Sequence, residues 1–304
     1  NQRRSDNFED RGRGSGGAVG AGLGAGVLFA IIRRIGVRGV LIAAALLAVI
    51  YFFNPFGLRE AVFGALFGSV PGQTQTSQGE GAVCEAQAQA CDFSARILGS
   101  TEDVWRAQFA AGRLPTYGGA RPGAYQDTTL VVFTESVQTG CGAAPSSVGP
   151  FYCPSDRQLY IDPGFYQVME QRLRAPGDFA QAYVIAHEVG HHVQNLIGAT
   201  QVQVQGEGQN ETSVRLELQA DCLAGVWGHT AQASLAIDDA DLREATNAAH
   251  QIGDDTLQRE SQGQVNPREF THGSSAQRMR WFRRGFDSGD ARQCDSFQGA
   301  YGQL

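Results

Sequence analysis

The segment His187-Glu188-Val189-Gly190-His191 has the residue types and the spacing of a metal-dependent hydrolysis motif. The residues before it, 179–186, are largely apolar with helical periodicity, so both histidines should lie one turn apart on one helix face and share an ion. Glu188 then projects about 100° round the helix from His187, where it can act as a base toward a metal-activated water. A chance match is a poor explanation, because a chain with so few histidines shows this spacing in roughly one case in a hundred or fewer.

A pair of acidic residues, Glu217 and Asp221, supplies the further groups that such a site needs. The two are four residues apart in a segment with helical character, so they share a face one turn apart. Glu217 is predicted to be the third zinc ligand, with the fourth position left to water, and Asp221 to accept the free ring N–H of a ligating histidine. The competing third ligands are Asp221 itself, His229 and His250. A solvated helix face is the alternative, but apolar neighbours surround the pair and buried carboxylates need partners.

The elements that must position these residues predict an α+β domain, mainly helical, with a small antiparallel sheet. Apolar runs indicate strands at 128–134 and 158–161. Helical periodicity predicts five helices, at 95–111, 179–197, 212–233, 238–257 and 274–287. The segment Gly253-Asp254-Asp255 is interpreted as a turn or a helix cap.

The residues before this domain, 83–304, are predicted to anchor it to a membrane. Residues 1–34 are interpreted as a disordered, Gly- and Arg-rich cytoplasmic tail, 35–53 as a transmembrane helix and 54–82 as a linker. Arginines crowd the N-terminal flank of the apolar span, which predicts a cytoplasmic N-terminus and an extracytoplasmic domain. A cleaved signal peptide is one alternative. A hairpin of the apolar stretch 18–32 with the following one is another, and it would reverse the topology.

Six cysteines indicate disulfides in an oxidising compartment, which argues against that reversal. They form two close pairs and two single positions, namely Cys84 and Cys91, Cys141 and Cys153, Cys222 and Cys294. None belongs to a C-x-x-C pair, so a cysteine zinc site is poorly supported. Buried free thiols are the alternative, and the connectivity stays open at this level.

Charge and composition bear on the partners. The net charge is −7 and all 24 basic residues are arginines, scattered along the chain. A nucleic-acid partner is therefore not expected, since binding one needs a dense basic stripe. The expected partners are a peptide or protein substrate and the membrane.

Beyond these patterns, the sequence resembles the neutral zinc metallopeptidase family of bacterial membrane-anchored proteins and, more loosely, the gluzincin peptidases. The matching segments are 186–194, 217–227, 149–154, 271–278 and the leader 4–10. The resemblance implies a zincin-like fold and a zinc ion, with His187, His191 and Glu217 as ligands and Glu188 as base.

His272 enters through the same resemblance. Gluzincins of membranes carry a Thr-His-Pro segment followed by an arginine, and Thr271-His272 with Arg278 is similar to it, although Gly273 replaces the proline. A histidine there would stabilise an oxyanion. The alternative is a helix-entry residue before the N-cap serines that follow.

The predicted function is zinc-dependent hydrolysis of peptide bonds in an extracytoplasmic domain. Residues 149–161 are expected to offer an edge strand to an extended peptide. A Cys141–Cys153 disulfide would stiffen this strand, and a Cys222–Cys294 disulfide would pin the C-terminal tail to the metal-binding helix. One alternative is a non-catalytic envelope protein that uses zinc as a structural staple, and another is a zinc hydrolase of non-peptide amides.

Overall fold

A computed structural model describes residues 3–13, 83–119 and 122–304. All of them belong to one compact unit, Asn1–Gly14 with Gly79–Leu304. The described strands are β1 (Phe8–Arg13), β2 (Thr129–Thr134), β3 (Ser136–Thr139), β4 (Gly142–Pro145), β5 (Phe151–Cys153) and β6 (Gln158–Ile161). The described helices are α1 (Val83–Ala86), α2 (Ala88–Ala110), α3 (Phe165–Gln171), α4 (Asp178–Ile197), α5 (Gln209–Leu235), α6 (Asp239–Gln251), α7 (Asp254–Gln262) and α8 (Ser275–Ser288).

The main sheet has the strand order β1-β2-β6-β5, and its β1–β2 and β2–β6 pairings are parallel. Only β5 runs antiparallel to its neighbour β6 in this sheet, while β3 and β4 form a separate antiparallel hairpin. The prediction of an α+β, mainly helical domain is confirmed, but the prediction of an antiparallel sheet is wrong for its centre. The continuous apolar run Leu130–Phe133, buried along its whole length, is typical of a parallel strand covered on both faces.

The N-terminal segment also differs from the prediction. Residues 8–13 were expected to be disordered, but they form β1, which pairs with β2 in the register Phe8↔Leu130 and Glu9↔Val131. A strand bonded into a sheet lies on the same side of a membrane as that sheet. The predictions of a cytoplasmic N-terminus and of an extracytoplasmic domain are therefore incompatible.

Two helices carry the chemistry, and a glycine lets them approach closely. A Cβ atom on Gly190 of α4 would lie 3.1 Å from the backbone of Ala220 on α5. The absence of this atom brings the histidine face of α4 against the acidic face of α5. Helix α8 packs closely on the other side of α5, where Gly225 and Gly285 face backbone atoms of the opposite helix.

The predicted helix 238–257 is two helices, α6 and α7, which are separated at Ile252 and Gly253. Gly253 lies against Ser275, where a Cβ atom would overlap the backbone. The break depends on this tertiary contact. It turns the start of α7 toward the loop before α8.

The predicted membrane helix 35–53 and linker 54–82 lie outside the described residues. Among the helices that are described, none combines the length and the apolar character needed to cross a membrane. The cysteines form three disulfides, Cys84–Cys91, Cys141–Cys153 and Cys222–Cys294. This pairing confirms the expectation of disulfides and supports an extracytoplasmic domain.

Candidate active site

Two histidines of α4 and a glutamate of α5 converge at the helix contact. The Nε2 atom of His187 lies 3.2 Å from Oε2 of Glu217, and the Nε2 atom of His191 lies 3.4 Å from Oε1 of the same carboxylate. Ligands placed tetrahedrally about 2.0–2.2 Å from a zinc ion are about 3.3–3.5 Å apart. The spacing of these three groups therefore fits a zinc ion, and the donor set of two imidazoles and a carboxylate fits its chemistry.

The other ring nitrogen of each histidine has its own acceptor. Nδ1 of His187 lies 2.9 Å from Oδ1 of Asp221, and Nδ1 of His191 lies 2.8 Å from Oε1 of Gln194. The Gln194 amide is itself oriented by donating to the carbonyl of Leu216 at 2.6 Å. With Nδ1 bonded to another acceptor, the Nε2 atom of each histidine faces Glu217 and is the nitrogen available to a metal ion, which would replace a proton there. Asp221 is where the sequence predicted it, whereas Gln194 was missed.

Asp221 is fully buried at the centre of a polar network. It accepts from Tyr183 Oη at 2.5 Å, Arg278 Nε at 2.8 Å and Arg278 Nη2 at 2.9 Å. Burial alone would raise the pKa of Asp221, but Arg278 and then His187 outweigh it and lower the pKa. The carboxylate is therefore ionised, which suits an acceptor for the N–H of His187.

The ligand candidates are strongly coupled to one another. Burial acts to lower the pKa of His187, but hydrogen bonds with Asp221 and Glu217 outweigh it and raise the pKa to about 10. Burial acts to raise the pKa of Glu217, but the two histidines hold it well below its usual range. The pocket therefore favours an anionic Glu217 next to positive charge. A bound divalent cation would supply the same kind of charge.

Glu188 adjoins the two histidines. Ligand atoms of His187, Glu188 and His191 lie within 4.8 Å of one another. Burial raises the pKa of Glu188 above its ordinary value. A carboxylate with a raised pKa next to a metal-binding pair is suited to accept and return a proton.

His272 lines the same cavity as the histidines and Glu188. Its Nδ1 atom contacts Oδ1 of Asp254 at 3.2 Å, and Asp254 Oδ2 accepts the backbone N–H groups of Thr271, His272 and Gly273 at 2.7, 2.7 and 2.9 Å. The hydrogen bond with Asp254 raises the pKa of His272. Asp254 thus holds the loop that presents His272, a role beyond the turn or cap that the sequence predicted.

A cavity of about 630 Å³ opens over these groups. One side is formed by Gly149–Tyr152, a segment that contains the first two residues of edge strand β5. Apolar side chains line much of the remainder, among them Phe165, Met169, Leu173, Val184 and Ile252. Concave, mainly apolar pockets with a few convergent polar groups are typical ligand sites.

Strand β5 is fixed to the motif helix by a third histidine. His192 is buried, and its ring nitrogens contact Tyr152 Oη at 3.1 Å and the carbonyl of Gln126 at 2.6 Å. Asn195 donates to the same Tyr152 hydroxyl at 3.1 Å. Burial lowers the pKa of His192 to about 4, so the ring is neutral. His192 is thus a satisfied structural histidine that positions β5.

The competing third ligands lie elsewhere. His229 binds the carbonyl of Phe286 through Nδ1 at 2.6 Å, and His250 lines a separate cavity beside Arg243. Asp221 faces Nδ1 of His187, on the opposite side of the ring from Glu217. The structure therefore brings Glu217, and none of these three, to the Nε2 atoms of both histidines.

Fold and site together define a candidate zinc metallohydrolase. The chain belongs to the family described as "Putative neutral zinc metallopeptidase", whose model matches residues 1–297. "Uncharacterized protein YpfJ" of Escherichia coli (strain K12) is 44% identical over 308 residues, which cover 97% of each chain. "Uncharacterized protein Rv2575" of Mycobacterium tuberculosis (strain ATCC 25618 / H37Rv) is 45% identical over 188 residues, which cover 58% of this chain and 64% of that protein. No solved structure matches the chain.

Proposed function

We propose that this domain hydrolyses peptide bonds with a zinc ion held by His187, His191 and Glu217. The observation that carries the proposal is the pair of Nε2 atoms at 3.2 and 3.4 Å from one carboxylate, with both Nδ1 atoms already bonded to other acceptors. Three protein ligands leave one tetrahedral position for water or substrate, as in catalytic zinc sites.

A zinc ion bound there supplies Lewis acidity, which lowers the pKa of a water toward neutrality and polarises a carbonyl group. Glu188 accepts the proton of the attacking water and then donates it to the leaving amine. Its raised pKa helps the first half of this task, because a weaker acid has a more basic carboxylate. We assign His272 to stabilisation of the oxyanion, because its side chain lines the same cavity as Glu188 and the ligand candidates.

The edge strand is the proposed docking site for the substrate. Within the described residues β5 pairs only with β6, and its residues Phe151 and Tyr152 line the cavity that contains Glu188. An extended peptide can add there as a further antiparallel strand, so that main-chain hydrogen bonds align it with the zinc ligands. The apolar lining then favours apolar side chains next to the scissile bond.

The substrate and its compartment follow from the same features. The three disulfides support a site of action outside the cytoplasm, so the expected substrates are peptides or proteins of the cell envelope. Membrane attachment through residues 35–53 remains a prediction from sequence.

The test is Glu188→Gln, with Glu260→Gln on exposed α7 as the matched control. We expect the first variant to keep one equivalent of zinc, measured by elemental analysis, and to lose about 10²–10⁴-fold in peptide cleavage. The control should keep both. Cleavage of a peptide library at an undiminished rate by Glu188→Gln would contradict the mechanism.

The same experiment separates the non-catalytic alternative. A structural zinc site has four protein ligands and no use for an adjacent base. Absence of any chelator-sensitive cleavage by the unmodified protein, with full zinc content, would favour that alternative. Cleavage of non-peptide amides alone would favour the other one.

A further inference from the structure

The N-terminal leader, residues 3–13, is an integral part of the domain. Its strand β1 pairs in parallel with β2, and the backbone bonds Leu130 N–H to Asn7 O and Ser5 N–H to Ala95 O, both 2.9 Å, fix it between the sheet and helix α2. The two attachments lie on different elements of the domain, so the leader occupies a groove formed by both.

A buried carboxylate on α2 is satisfied mainly by the leader. Glu102 is 0% exposed, and its Oε1 atom accepts from Ser5 Oγ at 2.5 Å and Asn7 Nδ2 at 2.8 Å. Its Oε2 atom accepts from Arg3 Nη2 at 2.5 Å, and Arg106 is the other cation near it, at 3.6 Å. Buried carboxylates need such partners. The groove is therefore built to receive this particular segment.

Backbone geometry and capping agree with this role. A Cβ atom on Gly99 of α2 would lie 2.7 Å from the carbonyl oxygen of Arg3, so the glycine makes room for the leader. Asp10 accepts from the backbone N–H groups of Val83 at 3.1 Å and Cys84 at 2.8 Å, at the first turn of α1. The chain thus leaves the domain at Arg13 and re-enters it beside Asp10.

The four arginines of the leader all have carboxylate partners. Three pair with the rest of the domain, as Arg3–Glu102, Arg4–Asp92 and Arg13–Glu135, and Arg11 pairs with Glu9 of the leader itself. These four arginines were part of the charge excess that predicted a cytoplasmic N-terminus. Because each has a partner in the folded unit, they are a weak guide to membrane orientation. Only Arg33, Arg34 and Arg38 then remain on that flank, between the apolar stretches 18–32 and 39–53.

We propose that the leader lies in the same extracytoplasmic compartment as the disulfide-bonded domain, so that residues 3–13 are not cytoplasmic. Exchange of leaders between two copies would not change the conclusion, because either leader must reach a domain in that compartment.

The first test is cysteine labelling of the full-length protein in intact spheroplasts with a membrane-impermeant maleimide. The native cysteines are all in disulfides and give no background. The probes are Asp6→Cys in the leader and Glu260→Cys in the domain, both exposed. We expect both to react in intact spheroplasts to the same extent as after permeabilisation.

Each other pattern overturns the proposal. Protection of Asp6→Cys together with labelling of Glu260→Cys would restore a single crossing with a cytoplasmic N-terminus. Protection of Glu260→Cys would place the domain in the cytoplasm. None of these results depends on whether the domain hydrolyses peptides.

The second test addresses docking of the leader in purified full-length protein. Trypsin cleavage at Arg3 and Arg4 reports how often the leader leaves its groove. Glu102→Gln should accelerate this cleavage at least about tenfold, because it removes the charge that binds Arg3. The matched control is Asp103→Asn, which removes an exposed carboxylate 3.1 Å from the same arginine and should have little effect.

Gly99→Ala provides a variant that acts without removing a charge. The added methyl group displaces the Arg3 carbonyl while it increases the helix propensity of α2, so the helix itself should be retained. Faster cleavage in Gly99→Ala supports docking. Unchanged cleavage in both Gly99→Ala and Glu102→Gln contradicts it.

Discussion

Replacement of Asp221 by asparagine should weaken zinc binding and destabilise the metal-free domain for two separable reasons. The first is loss of the ionised acceptor for Nδ1 of His187, at 2.9 Å. Loss of such an outer partner typically costs 10–100-fold in metal affinity, about 1.4–2.7 kcal/mol. The second is the guanidinium of Arg278, which is 2% exposed and would lose its closest anion. An unpaired buried charge costs about 3–5 kcal/mol.

For Arg278, the lower end of the range of about 3–5 kcal/mol applies. Arg278 keeps Glu217 at 3.8 Å and the carbonyl of Ile252 at 3.4 Å after the substitution. A loss of about 3 kcal/mol in a domain of this size lowers the melting temperature by roughly 6–12 °C. The melting temperature should be measured by calorimetry with a chelator present, and zinc affinity by competition with a fluorescent chelator.

A double mutant separates the two effects. Asp221→Asn with Arg278→Met removes both charges, so it should recover much of the stability but not the zinc affinity. The matched control is Glu207→Gln, which unpairs the buried Arg215, 2.6 Å away, in another part of the domain. It should reduce stability and leave zinc affinity unchanged. Zinc binding by Asp221→Asn at the affinity of the unmodified protein would refute the argument about His187.

Three further results are expected. Glu217→Ala should lose zinc at submicromolar concentrations, measured as metal content after dialysis; retention of a full equivalent would move the third ligand to another residue. Gly190→Val should destabilise the domain by about 1–3 kcal/mol in urea unfolding, because its side chain would meet the Ala220 backbone; an unchanged midpoint would show that the helices can separate freely. The Asp254–His272 pair should stabilise the fold most between about pH 4 and 6.5. The pKa of Asp254 is lowered on folding, so its contribution is present above pH ~3.9 and is lost as the pH falls through the folded pKa. The pKa of His272 is raised, so its contribution is complete below pH ~6.5 and is lost as the pH rises through the folded pKa. His272→Gln should therefore lower the urea midpoint at pH 5 more than at pH 9, and equal effects would contradict this assignment.

The residues that sequence predicted best are those placed by a single helical turn. His187 and His191, like Glu217 and Asp221, share faces because of helix geometry, and only one tertiary contact was needed to join the two faces. Gln194 could have been found in the same way, since it lies three residues after His191 on the same helix. The sequence carried that signal, but an amide is a less conspicuous partner than a carboxylate.

The features that were missed depend on contacts between distant parts of the chain. Asp254 holds the loop at Thr271–Gly273, and nothing in the local pattern of α7 shows that its first carboxylate faces another segment. The leader is charged and rich in arginine, which is typical of disorder when no partner is known. Its partner Glu102 is more than ninety residues away. The parallel pairing of β2 and β6 was likewise invisible, because apolar runs specify burial and not direction.

The leader and the proposed substrate site occupy opposite edges of one sheet. In the order β1-β2-β6-β5, β1 covers an edge that β2 would otherwise expose, and β2 is an apolar strand prone to pair with other chains. The outer strand carries Glu9, Arg11 and Arg13, and charged side chains discourage further pairing there. Among the described strands of this sheet, β5 is therefore the edge left for an extended peptide, and it is the one beside Glu188 and the proposed zinc ligands. Docking of the leader would in this way direct substrates to the edge beside the proposed active site.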